Sequence, residues 1–246
     1  MIVTVPSSRL LPVALAACLL LGGCASTAHR VASDPLEPMN RGIYKFNDAL
    51  DRAALKPAAK AYVKITPSWF RTGVGNFFTN LSGPTTIVNQ VLQGKIVAAG
   101  QDTLRLMINT TLGWGGVLDV ASGARLPMHE EDSGQTLGRW GVPAGPYLML
   151  PLVGPATLRD APARIADEFL RPLHWYNRNN LRWSSLALSL LDTRARLLPL
   201  DKTLEETYDR YGFLRDAYLQ RRQYQVYDGN PPEETFEEDP EADPAP

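Results

Sequence analysis

Residues 134–160 read GQTLGRWGVPAGPYLMLPLVGPATLRD. The stretch is apolar and aromatic through Trp140, Tyr147, Leu148, Met149, Leu150, Leu152 and Val153. It is also broken by Gly134, Gly138, Gly141, Pro143, Gly145, Pro146, Pro151, Gly154 and Pro155. Glycine and proline at this density prevent a long helix, and Pro151 argues against a central strand. Residues 145–153 are left with a short hairpin at most. Strand signals are scarce elsewhere, so the regular structure must come from helices on either side, and the fold class is mainly α. An irregular greasy segment of this kind must be buried by the rest of the protein or meet something apolar from outside.

On the N-terminal side, Asp34-Pro35-Leu36-Glu37 reads as a helix start, with Asp34 as N-cap, Pro35 at the first position and a glutamate following. Met39, Ile43, Phe46 and Leu50 then fall on one face. Pro57 bends or restarts that helix, which runs to about Ile65. Thr66-Pro67 opens a segment containing Trp69, Phe70, Phe77 and Phe78, weakened by Gly73 and Gly75. Ser82-Gly83-Pro84 is expected to start a separate short helix ending at Gln93-Gly94. Residues 95–112 form a further helix with Ile96, Ala99, Thr103, Leu106 and Met107 on one broad side. Gly113-Trp114-Gly115-Gly116 breaks it, and a short helix follows through Val117, Leu118 and Val120. Residues 124–133 read as a polar loop.

On the C-terminal side, Pro155 to Leu170 reads as helical, with Asp160-Ala161-Pro162 marking a restart. Residues 180–198 carry a leucine stripe wider than a surface helix needs. Residues 201–226 read as one last helix with Asp201 as N-cap. No apolar stretch reaches the ~20 residues that span a bilayer as one helix. The stripes sit on amphipathic helices instead, and an anchored protein is free to lay some of them in a lipid interface.

The extremities set the compartment. Leu10–Leu21 is a short apolar run followed by Leu21-Gly22-Gly23-Cys24, a secretory signal too short for an ordinary span. The ending resembles a bacterial lipobox, in which Cys24 becomes the acylated first residue after cleavage. The alternative is an ordinary signal with an incidental cysteine. Several acyl chains on one residue exceed what stable anchoring needs, and Ala25, where an aspartate would resemble an inner-membrane retention signal, points to the outer membrane. Residues 1–23 are thus assigned as signal peptide, 24–33 as lipidated tether, 34–228 as the folded domain and 229–246 as an acidic, proline-rich tail expected to be disordered. Cys18 lies in the removed segment, so no cysteine is left for a disulfide.

Chemistry is sparse. A formal net charge of −1 argues against bulk attraction to nucleic acid. There is no Gly-x-Ser-x-Gly elbow. The three histidines, His29, His129 and His174, show no zinc-ligand spacing. His129 beside Glu130, Glu131 and Asp132 reads as a solvated charged loop, with a cation or acid–base site as the sharper reading. No catalytic residue, metal or cofactor is assigned. Arg171, Arg178, Arg182, Arg194 and Arg196 surround the leucine-rich helix, as a solvated face or as contacts to anionic headgroups. Asn40, Asn76, Asn80, Asn89 and Asn109 lie on otherwise apolar helices, where they bridge helices or line a polar path.

Several motifs in order resemble the MlaA (VacJ) family of outer-membrane lipoproteins. They are Asp34-Pro35-Leu36-Glu37-Pro38-Met39-Asn40-Arg41 with Tyr44-Lys45-Phe46-Asn47, Asn76-Phe77-Phe78-Thr79-Asn80-Leu81, Asn89 through Lys95, Arg105 through Gly113, Gly116 through Ala121, and Gly134 through Gly138 onward to Leu158-Arg159-Asp160. The resemblance runs from about residue 34 to 222, after a lipobox. It implies a ring-like bundle of amphipathic helices around a central channel, lipid-anchored in the outer membrane of a Gram-negative bacterium and facing the periplasm. Mislocalised phospholipid of the outer leaflet would pass through that channel to a periplasmic phospholipid-binding (MlaC-like) protein, and trimeric porins would be partners. A non-transporting scaffold lipoprotein is the alternative. In this light residues 134–160 line or gate the path, with Tyr147, Leu148, Leu150 and Leu152 as candidate wall residues, or they plug the core.

Overall fold

The computed structural model describes residues 34–175 and 179–232. The signal peptide, Cys24, the tether, Arg178 and most of the acidic tail lie outside the described residues.

The chain is mainly helical with one two-stranded hairpin. Helix α1 (Glu37–Leu50) passes through a π-helical turn (Asp51–Leu55) into α2 (Lys56–Ile65). Pro57 explains the turn: it has no N–H for the carbonyl four residues back, and its ring crowds that carbonyl. The backbone widens there, with Lys56 N–H donating to the Asp51 carbonyl. Helix α3 spans Ser68–Leu92, and α4 spans Ile96–Thr111. A short α5 (Val120–Gly123) and α6 (Ser133–Arg139) lead to strands β1 (Tyr147–Leu150) and β2 (Gly154–Thr157). Helix α7 (Asp160–Leu170) precedes a 3-10 turn at Pro172–Trp175. Helix α8 (Asn179–Leu197), a 3-10 turn at Leu198–Leu200, α9 (Asp201–Glu206) and α10 (Arg210–Val226) complete the chain.

Several boundaries differ from the sequence reading. The two helices expected on either side of Ser82 are one helix, and Pro84 sits inside α3. Tertiary packing overrides propensity here. The Gly73 position presses on Val117, so that a Cβ would come within 2.9 Å of it, and Gly83 similarly presses on Leu106 at 3.1 Å. The glycines that weaken an isolated helix let this one lie close to α4 and its following loop. The turn after α4 makes the next helix start at Val120 rather than Val117, capped by Asp119, whose carboxylate accepts from Ser122 N–H at 3.1 Å. Asp132 caps α6 in the same way, accepting from Gln135 N–H at 2.8 Å. Residues 154–157 are a strand, so α7 begins at Asp160 instead of Pro155. The last expected helix is broken at 207–209.

Neither expected aspartate cap at the domain ends forms. Asp34 is buried and spends its carboxylate on Asn40 and Tyr211 rather than on a helix terminus. Asp201 lies in the first turn of α9 and pairs with Arg194 and Lys56.

The hairpin is antiparallel, with Tyr147 opposite Thr157 and Leu150 opposite Gly154. Its connection places Leu152 at φ 66° and Gly154 at φ 89°, a left-handed region that is uncommon for leucine. One face packs into an apolar cluster of Tyr147, Met149 and Tyr211 with Ile43, Tyr44, Leu214, Tyr218 and Leu219. The Tyr147 ring meets Tyr211 and Tyr218 edge-on at 6.1 and 6.2 Å. A second cluster joins α2 to α8 through Ala59, Tyr62 and Ala195 with Val63, Leu188, Leu191 and Leu198.

Candidate functional site: a polar interior beneath an apolar exterior

The distribution of side chains is inverted relative to an ordinary soluble domain. Among the described residues the buried set is dominated by polar and charged groups, including Asn40, Asn89, Gln90, Asp102, Arg105, Asp160 and Arg222, while much of the buried apolar set is alanine. Large apolar side chains lie outside instead. Scattered exposed leucines are unremarkable, but buried polar groups and contiguous apolar exposure are informative.

Helix α4 shows how the sequence produces this. Ala99, Asp102, Arg105 and Asn109 recur at spacings of three and four and form its buried face. The opposite face carries Ile96, Val97, Leu104 and Met107, all more than half exposed, and Trp114 beyond its end is 83% exposed. Of the side read as apolar from the sequence, Ile96 and Met107 point outward, whereas Ala99 lies on the buried face. Among the described residues no helix is long and apolar enough to cross a membrane.

The inward polar groups are held by one another. Asp102 accepts from Gln90 Nε2 at 2.7 Å and meets His129 Nδ1 at 2.8 Å. Arg105 donates to the Leu126 carbonyl at 2.6 Å and to Asp119 at 2.9 Å. Asn109 donates to Asp119 at 3.0 Å and accepts from Ala121 N–H at 2.9 Å. Burial alone would raise the Asp119 pKa, but hydrogen bonds from Ser122 and Asn109 and the charge of Arg105 outweigh it and hold the carboxyl below its ordinary value. The acidic run after His129 is not a plain solvated loop: Glu131 pairs with Lys95 at 2.6 Å and Asp132 with Arg222 at 2.6 Å. Among the described residues no group of three or more His, Cys, Asp or Glu side chains is placed to hold a metal ion.

Two cavities open along the inner side of α3. One, of about 370 Å³, lies between α3, α4 and the 128–132 segment, with Thr86, Asp102, Arg105, Leu106 and His129 in its wall. The other, of about 520 Å³, lies between α2, α3 and α8. Asn76 and Thr79, one turn apart on α3, line both, so the cavities adjoin. Their walls mix polar side chains with Leu106, Met128, Val63 and Leu198.

The hairpin is fastened beside this interior by two asparagines of α1. Asn40 donates to the Tyr147 carbonyl at 3.0 Å and accepts from Met149 N–H at 2.9 Å. Asn47 donates to the Leu150 carbonyl at 3.0 Å and accepts from Leu152 N–H at 2.9 Å. Seven helical residues advance about 10.5 Å, and three strand residues advance about 10 Å. The asparagine spacing therefore matches the distance between the two backbone sites: Asn40 pins the middle of β1, and Asn47 pins its end and the turn that follows. At the other end of the hairpin, Asp160 joins Arg159 and Arg222, each at 2.9 Å. Burial pushes the Asp160 pKa up, but the two guanidinium groups prevail and hold it at about 2. Tyr218, buried against the same carboxylate, is pushed up to about 12.

Of the candidate wall residues, Tyr147 is fully buried in the core cluster. Leu148 and Leu150 are half-buried on the other face of β1, and Leu152 is exposed at the hairpin tip. The asparagines singled out from the sequence bridge elements: Asn76 to the Val117 carbonyl at 3.1 Å, Asn80 to Thr110 at 3.0 Å, and Asn89 to Thr136 at 2.6 Å. Arg194 is not a headgroup contact or a solvated charge but the centre of an ion cluster with Asp51 and Asp201. His174 meets Phe169 with ring centres 4.5 Å apart and planes tilted by 58°. Sequence reasoning missed Asp34, Arg159, Asp160 and Arg222 as buried groups, because nothing in local pattern distinguishes a charge that will be paired inside from one on the surface.

Comparison with known proteins agrees with this arrangement. A family model described as MlaA lipoprotein matches residues 32–225. A relative from Escherichia coli (strain K12), named intermembrane phospholipid transport system lipoprotein MlaA, is 39% identical over 226 residues, covering 88% of each chain. The protein of the same name from Haemophilus influenzae is 31% identical over 224 residues, covering 88% of this chain and 90% of that one. A solved structure described as the structural basis for maintenance of bacterial outer membrane lipid asymmetry superposes with a TM-score of 0.71 at 38% identity. It covers 79% of this chain and 99% of that one. With a family model spanning most of the chain and relatives this similar along nearly their whole length, the chain belongs to the MlaA lipoprotein family.

Proposed function

We propose that this chain is an intermembrane phospholipid transport lipoprotein of the Gram-negative outer membrane, which maintains lipid asymmetry by removing phospholipid misplaced in the outer leaflet. Family membership supports the activity and the location. The observation that carries the mechanism is the inversion along α3 and α4, with apolar side chains outside and adjoining cavities of mixed polar and apolar lining inside. A phospholipid has a charged head and apolar tails, so its path needs polar and apolar walls together. The exposed stripe of α4 would seat the helices in the inner leaflet. The cavities would join into a central channel ringed by the helices. No bond is made or broken, so no nucleophile is required.

Cys24 is the lipidated residue in this reading, residues 24–33 are the tether, and 34–228 form the transport domain. The hairpin forms one wall or gate through Leu148, Leu150 and Leu152, while Tyr147 holds it from behind. A periplasmic phospholipid-binding protein of the MlaC type receives the lipid, and a trimeric porin associates with the protein.

A strain lacking the protein should accumulate phospholipid in the outer leaflet, and wild-type protein should clear it. Thr79→Trp fills the junction of the cavities and should fold and stay in the outer membrane without clearing lipid. Clearance by a normally folded Thr79→Trp protein refutes a path through this interior and favours a scaffold that carries no lipid.

A further inference from the structure

The second cavity has a chemical bias that the first lacks. Its charged wall carries two guanidinium groups, Arg71 on α3 and Arg196 on α8, against the single carboxylate of Asp192. The first cavity is lined by Asp102, Asp119 and Glu130 beside a single arginine. Arg71 is aimed by the backbone: its Nη1 donates to the Val63 carbonyl at 3.1 Å and to the Thr66 carbonyl. No carboxylate lies within ion-pair distance of Arg71 among the described residues, although most other arginines near the interior have one. Its remaining N–H groups are therefore available to an oxyanion.

Arg196 approaches the same cavity from α8, with Nη2 at 3.2 Å from Asp192, a carboxylate that is only 1% exposed. Gly75 makes this possible. A Cβ there would lie 2.8 Å from Arg196 Nη1, so glycine lets the guanidinium rest against α3. Ser68, in the first turn of the 25-residue α3, lines the cavity too and brings the positive end of the helix dipole to it. Val63, Ala195 and Leu198 supply an apolar wall alongside. A volume of about 520 Å³ is ample for a phosphodiester and the start of its acyl chains.

We propose that the cavity between α2, α3 and α8 is the binding site for the phosphate of a glycerophospholipid, held by Arg71 and Arg196. It deepens the transport reading and rests on it: the lipid path has a resting position fixed by its phosphate rather than by its variable headgroup. The neighbouring carboxylate cavity repels the phosphate and leaves this one as the place where it settles. Phosphatidylethanolamine and phosphatidylglycerol share the phosphodiester, so both are ligands.

Binding is measured by calorimetry on the full lipoprotein in detergent, with dihexanoylphosphatidylethanolamine, dihexanoylphosphatidylglycerol, dihexanoylglycerol and inorganic phosphate as separate ligands. Both phospholipids should bind at least tenfold tighter than dihexanoylglycerol, and inorganic phosphate should bind at least tenfold more weakly than either phospholipid. Because Arg196 neutralises buried Asp192, the double variant Arg196→Gln/Asp192→Asn removes the cation without stranding a charge. It should keep its melting transition and lose about tenfold in affinity for both phospholipids. Arg196→Lys retains the charge and should stay within about threefold of wild type. Equal affinity for dihexanoylglycerol, or an unchanged affinity in the folded double variant, overturns the site. Free phosphate binding as tightly as the lipids overturns the lipid assignment. Lipid clearance by wild-type protein in cells is scored in parallel. Clearance without phosphate-dependent binding rejects this site alone, whereas failure of wild-type clearance rejects the transport reading.

Discussion

Replacing Asn40 by alanine tests how α1 holds the hairpin. Asn40 is fully buried, and its amide makes three contacts, to the Tyr147 carbonyl, the Met149 N–H and Asp34. Alanine leaves two backbone groups of β1 without partners in a region where Tyr147 and Met149 are 0% and 2% exposed. A buried group left unsatisfied costs about 1–3 kcal/mol, so the substitution should cost about 3 kcal/mol or more. Asn47→Ala removes the equivalent pair at Leu150 and Leu152, but Leu152 is 65% exposed and water can replace the lost partner. That variant should cost about 1 kcal/mol or less. Urea unfolding of the full lipoprotein in detergent, followed by tryptophan fluorescence, gives both values. Hydrogen exchange at the Met149 and Leu152 amides gives the local effect. Asn40→Ala should accelerate exchange at Met149 far more than its global destabilisation explains, as the hairpin detaches from α1. If Asn40→Ala costs no more than Asn47→Ala, or if Met149 stays protected, Asn40 does not hold the hairpin on α1.

Other outcomes follow from the same geometry. Asp160 titrates at about 2 in the folded protein and near 4 when unfolded, so it contributes about 2 kcal/mol above pH 4 that is lost as the pH falls through about 2; urea titrations between pH 5 and 2.5 should show a shallower decline for Asp160→Asn than for wild type. Gly113→Ala puts a methyl 2.2 Å from the Leu118 carbonyl and 2.5 Å from that of Asn109, and should cost several kcal/mol. Gly100→Ala, where nothing lies within 4 Å, should instead raise the melting temperature through about 0.5–1 kcal/mol of helix propensity. Met107→Glu, on the exposed stripe of α4, should leave the melting temperature nearly unchanged in detergent while weakening partition of the unlipidated domain into phospholipid vesicles. Undiminished partition would mean that this stripe does not face lipid.

The helical class, the presence of a short hairpin and the family were legible in the sequence because each depends on local signals: periodicity, turn residues, and motifs several residues long; the second strand of the hairpin, Gly154–Thr157, was not, and was read as helix from Pro155. The amphipathicity of α4 and α8 is legible for the same reason. What the periodicity could not state is which side of a stripe faces inward. In α4 the sequence reading groups Ile96, Ala99 and Met107 on one side, yet Ala99 is buried with Asp102, Arg105 and Asn109 while Ile96 and Met107 are exposed. Amphipathicity has a period but no sign, and the sign is set by partners far away in the chain. Gln90, Asp119 and His129 satisfy the polar face of α4 across 10 to 27 residues. Asp132, Asp160 and Arg222 meet across 62 to 90 residues. The unity of α3 across Pro84 likewise rests on contacts made by Gly73 and Gly83 with other elements. The sequence by itself determined that this is a helical, anchored protein with apolar surface to place. Only the tertiary structure decided that the apolar surface lies outside and the charges within, because that choice is made by pairings between residues that no local pattern connects.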